Sequence, residues 1–421
     1  MTIRIDGARL NQGLEDLARI GATPGGGVTR LALSDEDAAG RTQLRVWMEG
    51  AGLIVSIDDL GNMIGLRPGR IAGPPVLLGS HCDTVVKGGK YDGALGVLGG
   101  LEVIRTLNEH RVETERALAL VNWTNEEGVR FEPAMQASGV LAGRFAREDV
   151  YERTDRHGVR FIDELRRIGF EGSTAARPQP AAALELHIEQ GPVLEASGHS
   201  VGVVGGIVGI TWFEVILEGQ SDHAGPSPMH LRRDALAAAA RIISGVELLA
   251  QDCDETAVAT VGRLHMEPNV INTIPGRAVF SVDLRHRDAA VLEKQAAALE
   301  RLVAEVGAAA GVSSSVHRFW TSEPTPFDPH VIGAVEDAAA ELGLPIVRLW
   351  SGAGHDSKYL AEMGPAGMIF VRSQRGLSHC EAEFSTPADI EAGANVLLGA
   401  ALRLANAPAR ARFSAPDDSC Q

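Results

Sequence analysis

Acidic residues and histidines follow apolar runs at five places in the chain. The runs are VLLGSHCDTV, GGKYDGALG, LALVNWTNEEG, ALELHIEQG and MIFVRSQRGLSHCEAE. The residues they supply are His81, Asp92, Glu126, Glu127, His187 and His379. Imidazole and carboxylate ligands without a thiolate cluster suit Zn²⁺, Mn²⁺, Co²⁺ or Ni²⁺. Because two such ions about 3.5–4 Å apart can share a carboxylate and activate a water molecule, the set predicts a two-metal hydrolytic site.

Short apolar segments precede most of these residues and predict buried strands. They cover residues 75–79, 117–123, 183–186 and 367–371, and each is bounded by Gly, Pro or polar residues. In open α/β sheets, ligand-binding residues lie just outside the carboxyl ends of the strands. The sequence therefore predicts an α/β fold in which the stretch that contains His379 folds back onto the first part of the chain.

A helix is predicted at residues 93–110, directly after Asp92. Its glycines would permit close packing on the sheet. A carboxylate at this position can also cap a helix, so Asp92 has a structural alternative to metal binding.

The pattern of the sequence changes twice along the chain. Up to about residue 207, helical patterns alternate with buried strands, as in a parallel α/β layer. Between 208 and 322, half-exposed strands accompany helical segments at 231–250 and 288–311, which predicts an α+β insert with two helices on one face of a sheet. We therefore predict catalytic segments at 1–207 and 323–421 and a separate lid and dimerisation domain at 208–322.

Composition argues against several kinds of partner. The net charge of −16 disfavours nucleic acid, because binding to its backbone requires a basic face. No apolar stretch approaches the roughly 20 residues that cross a bilayer, so we expect no membrane partner. The N-terminal segment has no apolar signal core, and the four cysteines show no paired spacing. These features predict a reduced, cytoplasmic protein.

Two motifs indicate more specific roles. In GSHCDTV, the Asp83 carboxylate can accept the second ring N–H of His81 and fix its tautomer. In TNEEG, neighbouring carboxylates point in different directions, so Glu127 can bind metal while Glu126 acts as the general base. A surface turn is the alternative for either motif. Asp92 and GGKYDG, close behind the first motif, favour a functional site there, and the buried strand LALVNW before the second favours one there.

Other polar residues are candidates for contacts with a substrate. Gln190 follows His187 in LELHIEQG and could hydrogen-bond an amide or ureido group. His223 in DHAGPSPM could donate to an oxyanion, with a helix-capping turn as the alternative. Arg285 ends a strand of the insert and could bind a carboxylate in a bidentate manner, with a solvated surface arginine as the alternative.

Eight motifs in a fixed order carry a family resemblance. They are GSHCDTVVKGGKYDGALGVLGGLEV, TNEEGVRF with ASGVLAG, LELHIEQGPVLE, DHAGPSPM with RRDA, NVINTIPG, DLRHRD, SGAGHDS and GLSHCEAE. Over about residues 10–405, the chain resembles the amidohydrolase/carbamoylase branch of the dinuclear metallo-aminoacylase and carboxypeptidase clan. That branch contains N-carbamoyl-L-amino-acid hydrolases, β-ureidopropionases and allantoate amidohydrolases.

The resemblance implies a catalytic α/β domain interrupted by a lid that also forms a homodimer. It implies two divalent metal ions, one held by His81 and His187 and the other by Glu127 and His379, with Asp92 as the bridge and Glu126 as the base. It also implies a set of substrate contacts, namely Gln190, His223, Asn272, Arg285 and the backbone around Gly354 and His355. His223 is the residue that the partner subunit would supply.

The motifs differ from the family pattern at a few positions. Peptidase members usually carry a carboxylate at the position of His187, so histidine there points to the carbamoylase side. The last motif commonly reads SHNP-A-E, whereas Cys380 and Glu381 stand here in place of Asn and Pro. The lid motif reads HAGPSPM instead of HAGTTPM. None of these changes removes a candidate ligand.

The predicted reaction is hydrolysis of a linear amide C–N bond. The first choice of substrate is an N-carbamoyl-L-amino acid or N-carbamoyl-β-alanine, which would yield the amino acid, CO₂ and ammonia. Allantoate or another ureido acid is the alternative within this class, followed by an N-acyl amino acid. A catalytically inactive binding protein on the same fold is the alternative outside it, and the presence of every predicted ligand argues against that alternative.

Overall fold

The computed structural model describes residues 3–408. The strands in chain order are β1 (Ile54–Ile57), β2 (Met63–Arg67), β3 (Val76–His81), β4 (Leu118–Trp123), β5 (Ala182–Ile188), β6 (Val201–Ile207), β7 (Gly209–Glu218), β8 (Asp222–His223), β9 (Val258–Thr260), β10 (Leu264–Glu267), β11 (Thr273–Ile274), β12 (Arg277–His286), β13 (Ser313–Ser322), β14 (Thr325–Pro326), β15 (Ile346–Ser351) and β16 (Ala366–Val371). The helices are α1 (Gly7–Ala18), α2 (Asp35–Gly50), α3 (Ala94–Glu109), α4 (Gln136–Leu141), α5 (Arg147–Tyr151), α6 (Phe161–Arg167), α7 (Val193–Ser197), α8 (Ala235–Gln251), α9 (Ala289–Ala310), α10 (Pro329–Glu341), α11 (Ser357–Met363) and α12 (Pro387–Asn406).

The chain divides into two compact units. The second unit consists of Gly206–Pro326 together with Trp350–Ala353, and the other residues within 3–408 form the first unit. Residues 350–353 thus group with the second unit, although the sequence pattern placed them in the catalytic segment 323–421. Residues 409–421 of that segment lie outside the described range. The lid and dimerisation roles of the segment 208–322 remain predictions.

A mixed sheet forms the centre of the first unit, and its strands follow the order β1-β2-β4-β3-β5-β16-β6. β3 runs parallel to β4 and β5, and β16 runs parallel to β5. The three strands β3, β4 and β5 are buried along their whole length, which explains their nearly continuous apolar sequences. Helices α3 and α12 pack against these central strands and against each other. The predicted α/β fold is confirmed.

The second unit is an antiparallel α+β unit. Its main sheet has the order β10-β12-β7-β13, and β9 also pairs with β12. Alternate residues of β12 are buried, and they pack with α8 and α9 around a core that includes Phe213, Phe280 and Leu299. The helix expected from residue 231 begins later, at Ala235, because the side chain of Asp234 caps it by accepting the backbone N–H of Ala237 at 2.9 Å.

The described residues bear on two of the expectations about cellular location, which concern membrane-spanning helices and the cysteines. Within residues 3–408, none of the helices combines the length and the apolar content that a membrane span requires. Cys82, Cys253 and Cys380 carry free thiols, and Cys420 lies outside the described range. The cytoplasmic location therefore stays a prediction.

Candidate metal centre

Three strands of the first unit deliver candidate ligands to one edge of the sheet. His81 is the last residue of β3, Glu126 and Glu127 follow the end of β4, and His187 is the penultimate residue of β5. Because β3 is parallel to both β4 and β5, their carboxyl ends meet at the same edge. His379 comes from the loop after β16, which is parallel to β5. The fold-back that the sequence required is present.

The five predicted metal ligands form two groups that share Asp92. In the first group, Asp92 Oδ1 lies 3.6 Å from His81 Nε2 and 3.2 Å from His187 Nε2. In the second group, His379 Nε2 lies 3.3 Å from Asp92 Oδ2 and 3.5 Å from Glu127 Oε2. Within each group, one ligand atom from each residue lies within 4.8 Å of the others. The structure therefore brings the five residues together, and metal binding by them stays a prediction.

The donor atoms of the two buried histidines are oriented towards Asp92. The Nδ1 atom of His81 contacts the carbonyl oxygen of Asp83 at 2.9 Å, and Nδ1 of His187 contacts the carbonyl of Ile188 at 2.9 Å. These contacts hold a proton on Nδ1 of each ring, so Nε2 is the atom that an ion would bind, in exchange for any proton that Nε2 carries. In addition, Glu127 Oε1 is buried without a hydrogen-bond partner among the described residues. The donor set fits divalent ions such as zinc or manganese.

Asp83 differs from its predicted role. Its carboxylate lies 3.9 Å from His81 Nδ1, and it accepts the backbone N–H groups of Glu126 at 3.3 Å and Glu127 at 3.2 Å. The expected alternation of side chains does not extend to Asp83, because β3 ends at His81. The main-chain carbonyl of Asp83 contacts the imidazole, and its carboxylate holds the loop that carries the predicted base.

Asp92 does not cap helix α3, so the structural alternative for this residue is wrong. The N-cap residue is Gly93, which makes no side-chain cap hydrogen bond. Gly93 has a φ of +62°, and a Cβ atom at this position would lie 2.5 Å from the ring of His81. A glycine is thus required for Asp92 to approach the histidine so closely.

Burial and neighbouring charge shift the proton affinities of the site. Burial raises the pKa of Glu126 well above its usual range, and repulsion from Asp356 adds to the effect. Burial opposes ionisation of Asp92 too, but hydrogen bonds to His187 and His379 hold its pKa well below the usual range. Burial lowers the pKa of His187, but the hydrogen bond and charge of Asp92, together with Glu185 and the carbonyl of Ile188, raise it to about 9. Glu126 and Asp92 are thus two buried carboxyls with opposite proton preferences.

Gln190 and His355 both lie beside the predicted ligands. Gln190 Nε2 donates to Asp92 Oδ2 at 2.9 Å and to Ser378 Oγ at 3.2 Å, while its Oε1 is buried without a partner in the described chain. The ring of His355, which follows Gly354, is buried and lies 4.5 Å from the ring of His187 between centroids. The amide nitrogen of Gln190 is therefore engaged within the protein, and its oxygen is the atom left for a ligand.

The remaining substrate candidates belong to the second unit. His223 is exposed in β8, which pairs with β11, and the N–H of the next residue, Ala224, donates to the carbonyl of Asn272 at 3.0 Å. His223 and Asn272 thus share one corner of this unit. Arg285 donates to Asp283 through Nε and Nη2 and to the carbonyl of Gly352 through Nη1. These bonds use three of its five N–H donors. The substrate roles of all three residues stay predictions.

Two residues near the centre, Glu383 and Ser378, were not predicted from the sequence. Glu383 is buried and accepts the N–H groups of Tyr91 and Asp92 at 3.0 and 3.1 Å, together with the hydroxyl of Ser378 at 2.8 Å. Ser378 and Glu383 both belong to the SHCEAE motif. In the sequence, that motif was used only for the ligand His379 and for the departures from the family pattern at Cys380 and Glu381. The signal that could have identified Glu383 was a second acidic residue four positions after a predicted ligand.

Comparison with known proteins confirms the resemblance found in the motifs. The family model described as Peptidase family M20/M25/M40 matches residues 77–403. An N-carbamoyl-L-amino-acid amidohydrolase of Rhizobium meliloti is 42% identical over 404 residues, which cover 96% of this chain and 97% of the relative. An allantoate amidohydrolase of Bacillus subtilis (strain 168) is 36% identical, with 93% of this chain and 96% of the relative covered. The similarity extends over nearly the whole chain.

A solved structure shows the same extent of similarity. The crystal structure of an amidase of the hydantoinase/carbamoylase family from Burkholderia multivorans superimposes with a TM-score of 0.94 at 48% sequence identity. The match covers 97% of this chain and 100% of that chain.

Proposed function

Because the chain belongs to peptidase family M20/M25/M40, we propose that it is an amidohydrolase that cleaves a linear C–N bond. The substrate is an N-carbamoyl-L-amino acid, or N-carbamoyl-β-alanine, and the products are the amino acid, CO₂ and ammonia. The observation that carries the proposal is the convergence of four ligand side chains on Asp92, with Glu126 Oε2 only 3.5 Å from His81 Nε2. The full-length relatives named N-carbamoyl-L-amino-acid amidohydrolase support this choice of substrate.

Two divalent metal ions are part of the proposal. His81, His187 and Asp92 Oδ1 would hold one ion, and Glu127, His379 and Asp92 Oδ2 would hold the other. Zn²⁺, Mn²⁺, Co²⁺ and Ni²⁺ all suit these ligands. When bound, such a pair polarises the substrate carbonyl and lowers the pKa of water.

Glu126 moves the proton in the proposed reaction. Its carboxylate takes a proton from the attacking water and returns it to the nitrogen that leaves, so the residue ends the cycle in its starting state. Burial raises the pKa of Glu126, which favours a group that must hold a proton between these two steps. Asp83 fixes the backbone of this residue by accepting its N–H.

Residues of both units supply the other proposed substrate contacts. Arg285 and Asn272 bind the substrate carboxylate, and His223 stabilises the oxyanion that forms at the carbamoyl carbon. Gln190 and the backbone at Gly354 and His355 bind the ureido group. We propose that the second unit acts as a lid whose closure excludes water from the reaction.

Allantoate is the second candidate substrate, and an N-acyl amino acid the third. Allantoate is favoured by a relative of nearly full length that carries the name allantoate amidohydrolase. It also offers a carboxylate and a ureido group, so the same side chains would contact it. The choice therefore depends on a direct comparison of substrates.

A substrate comparison tests the proposed function. The protein is reconstituted with Zn²⁺, Mn²⁺, Co²⁺ or Ni²⁺, and kcat/KM for ammonia release is measured on each substrate. We expect a higher kcat/KM for N-carbamoyl-L-amino acids or N-carbamoyl-β-alanine than for the N-carbamoyl-D-amino acids or allantoate. A higher kcat/KM for allantoate would move the assignment to the second candidate. Bound metal without turnover of any ureido or N-acyl acid would favour a binding protein instead.

Replacement of the proposed base separates proton transfer from metal binding. Glu126→Gln should lower kcat by about 10²–10⁴-fold, because an amide cannot carry the proton, while the metal content stays at the wild-type value. Glu127→Gln is the matched control, since the same change one residue later should reduce metal content. Metal analysis and steady-state rates are measured on both variants. A Glu126→Gln rate close to wild type would remove Glu126 from the mechanism.

The carboxylate contact of Arg285 has a test of its own. Arg285→Ala should raise KM for N-carbamoyl amino acids by about 10–100-fold, because it removes a charge-assisted contact, and should leave metal content intact. The KM for the corresponding carboxamides should change little. Arg277→Ala is the control, because Arg277 lies at the other end of β12 and pairs with Glu267. An unchanged KM for every carboxylate-bearing substrate would contradict the assignment.

We further propose a homodimer formed through the second unit. Strand β13 ends the order of its sheet, and nearly all of its residues are exposed. Pairing of this edge about a twofold axis would protect it from uncontrolled association. Each subunit would then contribute its His223 to the catalytic site of the other subunit.

Mixed subunits test whether the site is shared. If His223 acts in the partner's site, a heterodimer of His223→Ala and Glu126→Gln subunits contains one site with both defects and one intact site. An equal mixture that exchanges freely should recover about one quarter of wild-type activity. Verified heterodimers with no more activity than the two parent homodimers would place His223 in the site of its own subunit or outside catalysis.

A further inference from the structure

One buried carboxylate connects the loop of Asp92 with the loop of His379. Glu383 is 5% exposed. Its Oε1 atom accepts the N–H groups of Tyr91 and Asp92 at 3.0 and 3.1 Å, and its Oε2 atom lies 2.8 Å from Ser378 Oγ. The backbone of the shared ligand and the residue before His379 are thus tied to the same side chain.

The hydroxyl of Ser378 lies between two carboxylates. Its oxygen is 2.8 Å from Glu383 Oε2 and 3.2 Å from Asp92 Oδ2. A hydroxyl has one proton and can donate it to only one of them. The shorter contact favours Glu383 as the acceptor.

Gln190 favours the same direction of donation. Its amide nitrogen carries two protons and lies 2.9 Å from Asp92 Oδ2 and 3.2 Å from Ser378 Oγ. When Ser378 donates to Glu383, its oxygen can accept one of these protons while Asp92 accepts the other. Each donor then has its own acceptor, with donation running from Gln190 through Ser378 to Glu383.

Donation by Ser378 in the opposite direction, to Asp92, would occupy the second oxygen of that carboxylate. If Ser378 donated to Asp92 Oδ2, that oxygen would accept from both Ser378 and Gln190 and would have no lone pair left for an ion. Glu383 Oε2 would also lose its hydroxyl donor. The acceptor at position 383 therefore decides whether Asp92 Oδ2 is available to the group that contains Glu127 and His379.

We propose that Glu383 is a positioning residue that draws the Ser378 proton away from Asp92 and thereby keeps Asp92 Oδ2 free to bind the second metal ion. The inference rests on the proposed two-metal function, and it concerns only the site of Glu127 and His379. The first site uses the other oxygen of Asp92 and is affected less.

The geometry around Glu383 limits the replacements that can test this role. A Cβ atom on Gly89 would lie 1.9 Å from Glu383 Oε1, so the carboxylate is packed directly on the backbone of the GGKYDG segment. Glu383→Gln keeps the size of the side chain. Its amide oxygen can still accept the two backbone N–H groups, whereas its amide nitrogen replaces Oε2 and donates to Ser378. The hydroxyl proton must then turn towards Asp92.

Metal titration of the full-length apo-protein with Co²⁺, followed by visible absorption and by calorimetry, measures the two affinities without reference to turnover. Wild type should bind two ions. In Glu383→Gln the affinity of one site should fall by about 10–100-fold while the affinity of the other changes little, which is the usual effect of a residue that supports a metal ligand. The visible spectrum of the first Co²⁺ bound should remain that of wild type.

A second replacement distinguishes this role from simple support of the loop. Glu383→Gln combined with Ser378→Ala removes the competing hydroxyl and should bind the second ion more tightly than Glu383→Gln alone. A residue that merely stabilised the loop would give the reverse order, since the double variant lacks one more hydrogen bond. Glu381→Gln is the control, because it removes a charge from the same loop but contacts Thr23 instead of Ser378.

The outcomes separate the inference from the proposed function. If wild type binds two ions and Glu383→Gln binds both with wild-type affinity, Glu383 does not have this role. Equal loss at both sites, or a double variant weaker than Glu383→Gln, would likewise overturn the inference and leave the two-metal function standing. A wild-type protein that binds fewer than two ions would contradict the proposed function, and the inference with it.

Discussion

The Asp92 carboxylate is the centre on which the rest of the site depends. It is buried, and each of its oxygens faces a separate group of candidate ligands. A buried carboxylate is strongly destabilising unless opposite charge and hydrogen bonds compensate it. His187 and His379 provide that compensation here, and they hold the pKa of Asp92 well below its usual range. The same compensation could come from metal ions, for which the surrounding atoms have suitable types.

Carboxylates serve this centre in two ways. Asp92 and Glu127 present oxygens to the candidate ion positions, whereas Asp83 and Glu383 accept backbone N–H groups from the loops that carry those ligands. Fixing the backbone in this way positions a ligand more firmly than contact with its flexible side chain would. The parallel strands bring the loops to one edge of the sheet, and the buried acceptors set their local geometry. Fold and local hydrogen bonding thus act at different scales on the same centre.

The strands and the ligand residues could be predicted because each ligand either follows a short apolar run or directly precedes a helix. The atom that contacts His81 Nδ1 could not be predicted. Because β3 ends at His81, the alternation of side chains along a strand does not extend to Asp83, and its main-chain carbonyl makes the contact. Glu383 was missed because EAE is typical of a charged surface turn. The turn that leads to it has a left-handed backbone at His379, with a φ of +54°, which local sequence does not reveal. The grouping of residues 350–353 with the second unit depends on tertiary contacts alone.

The proposed site holds two metal ions that share Asp92. Crystals of the protein grown with Mn²⁺ or Zn²⁺, with diffraction recorded on both sides of the metal absorption edge, test it most directly. We expect two anomalous peaks about 3.5–4 Å apart, one beside each oxygen of Asp92. A single peak, or two peaks of which only one contacts Asp92, would contradict it.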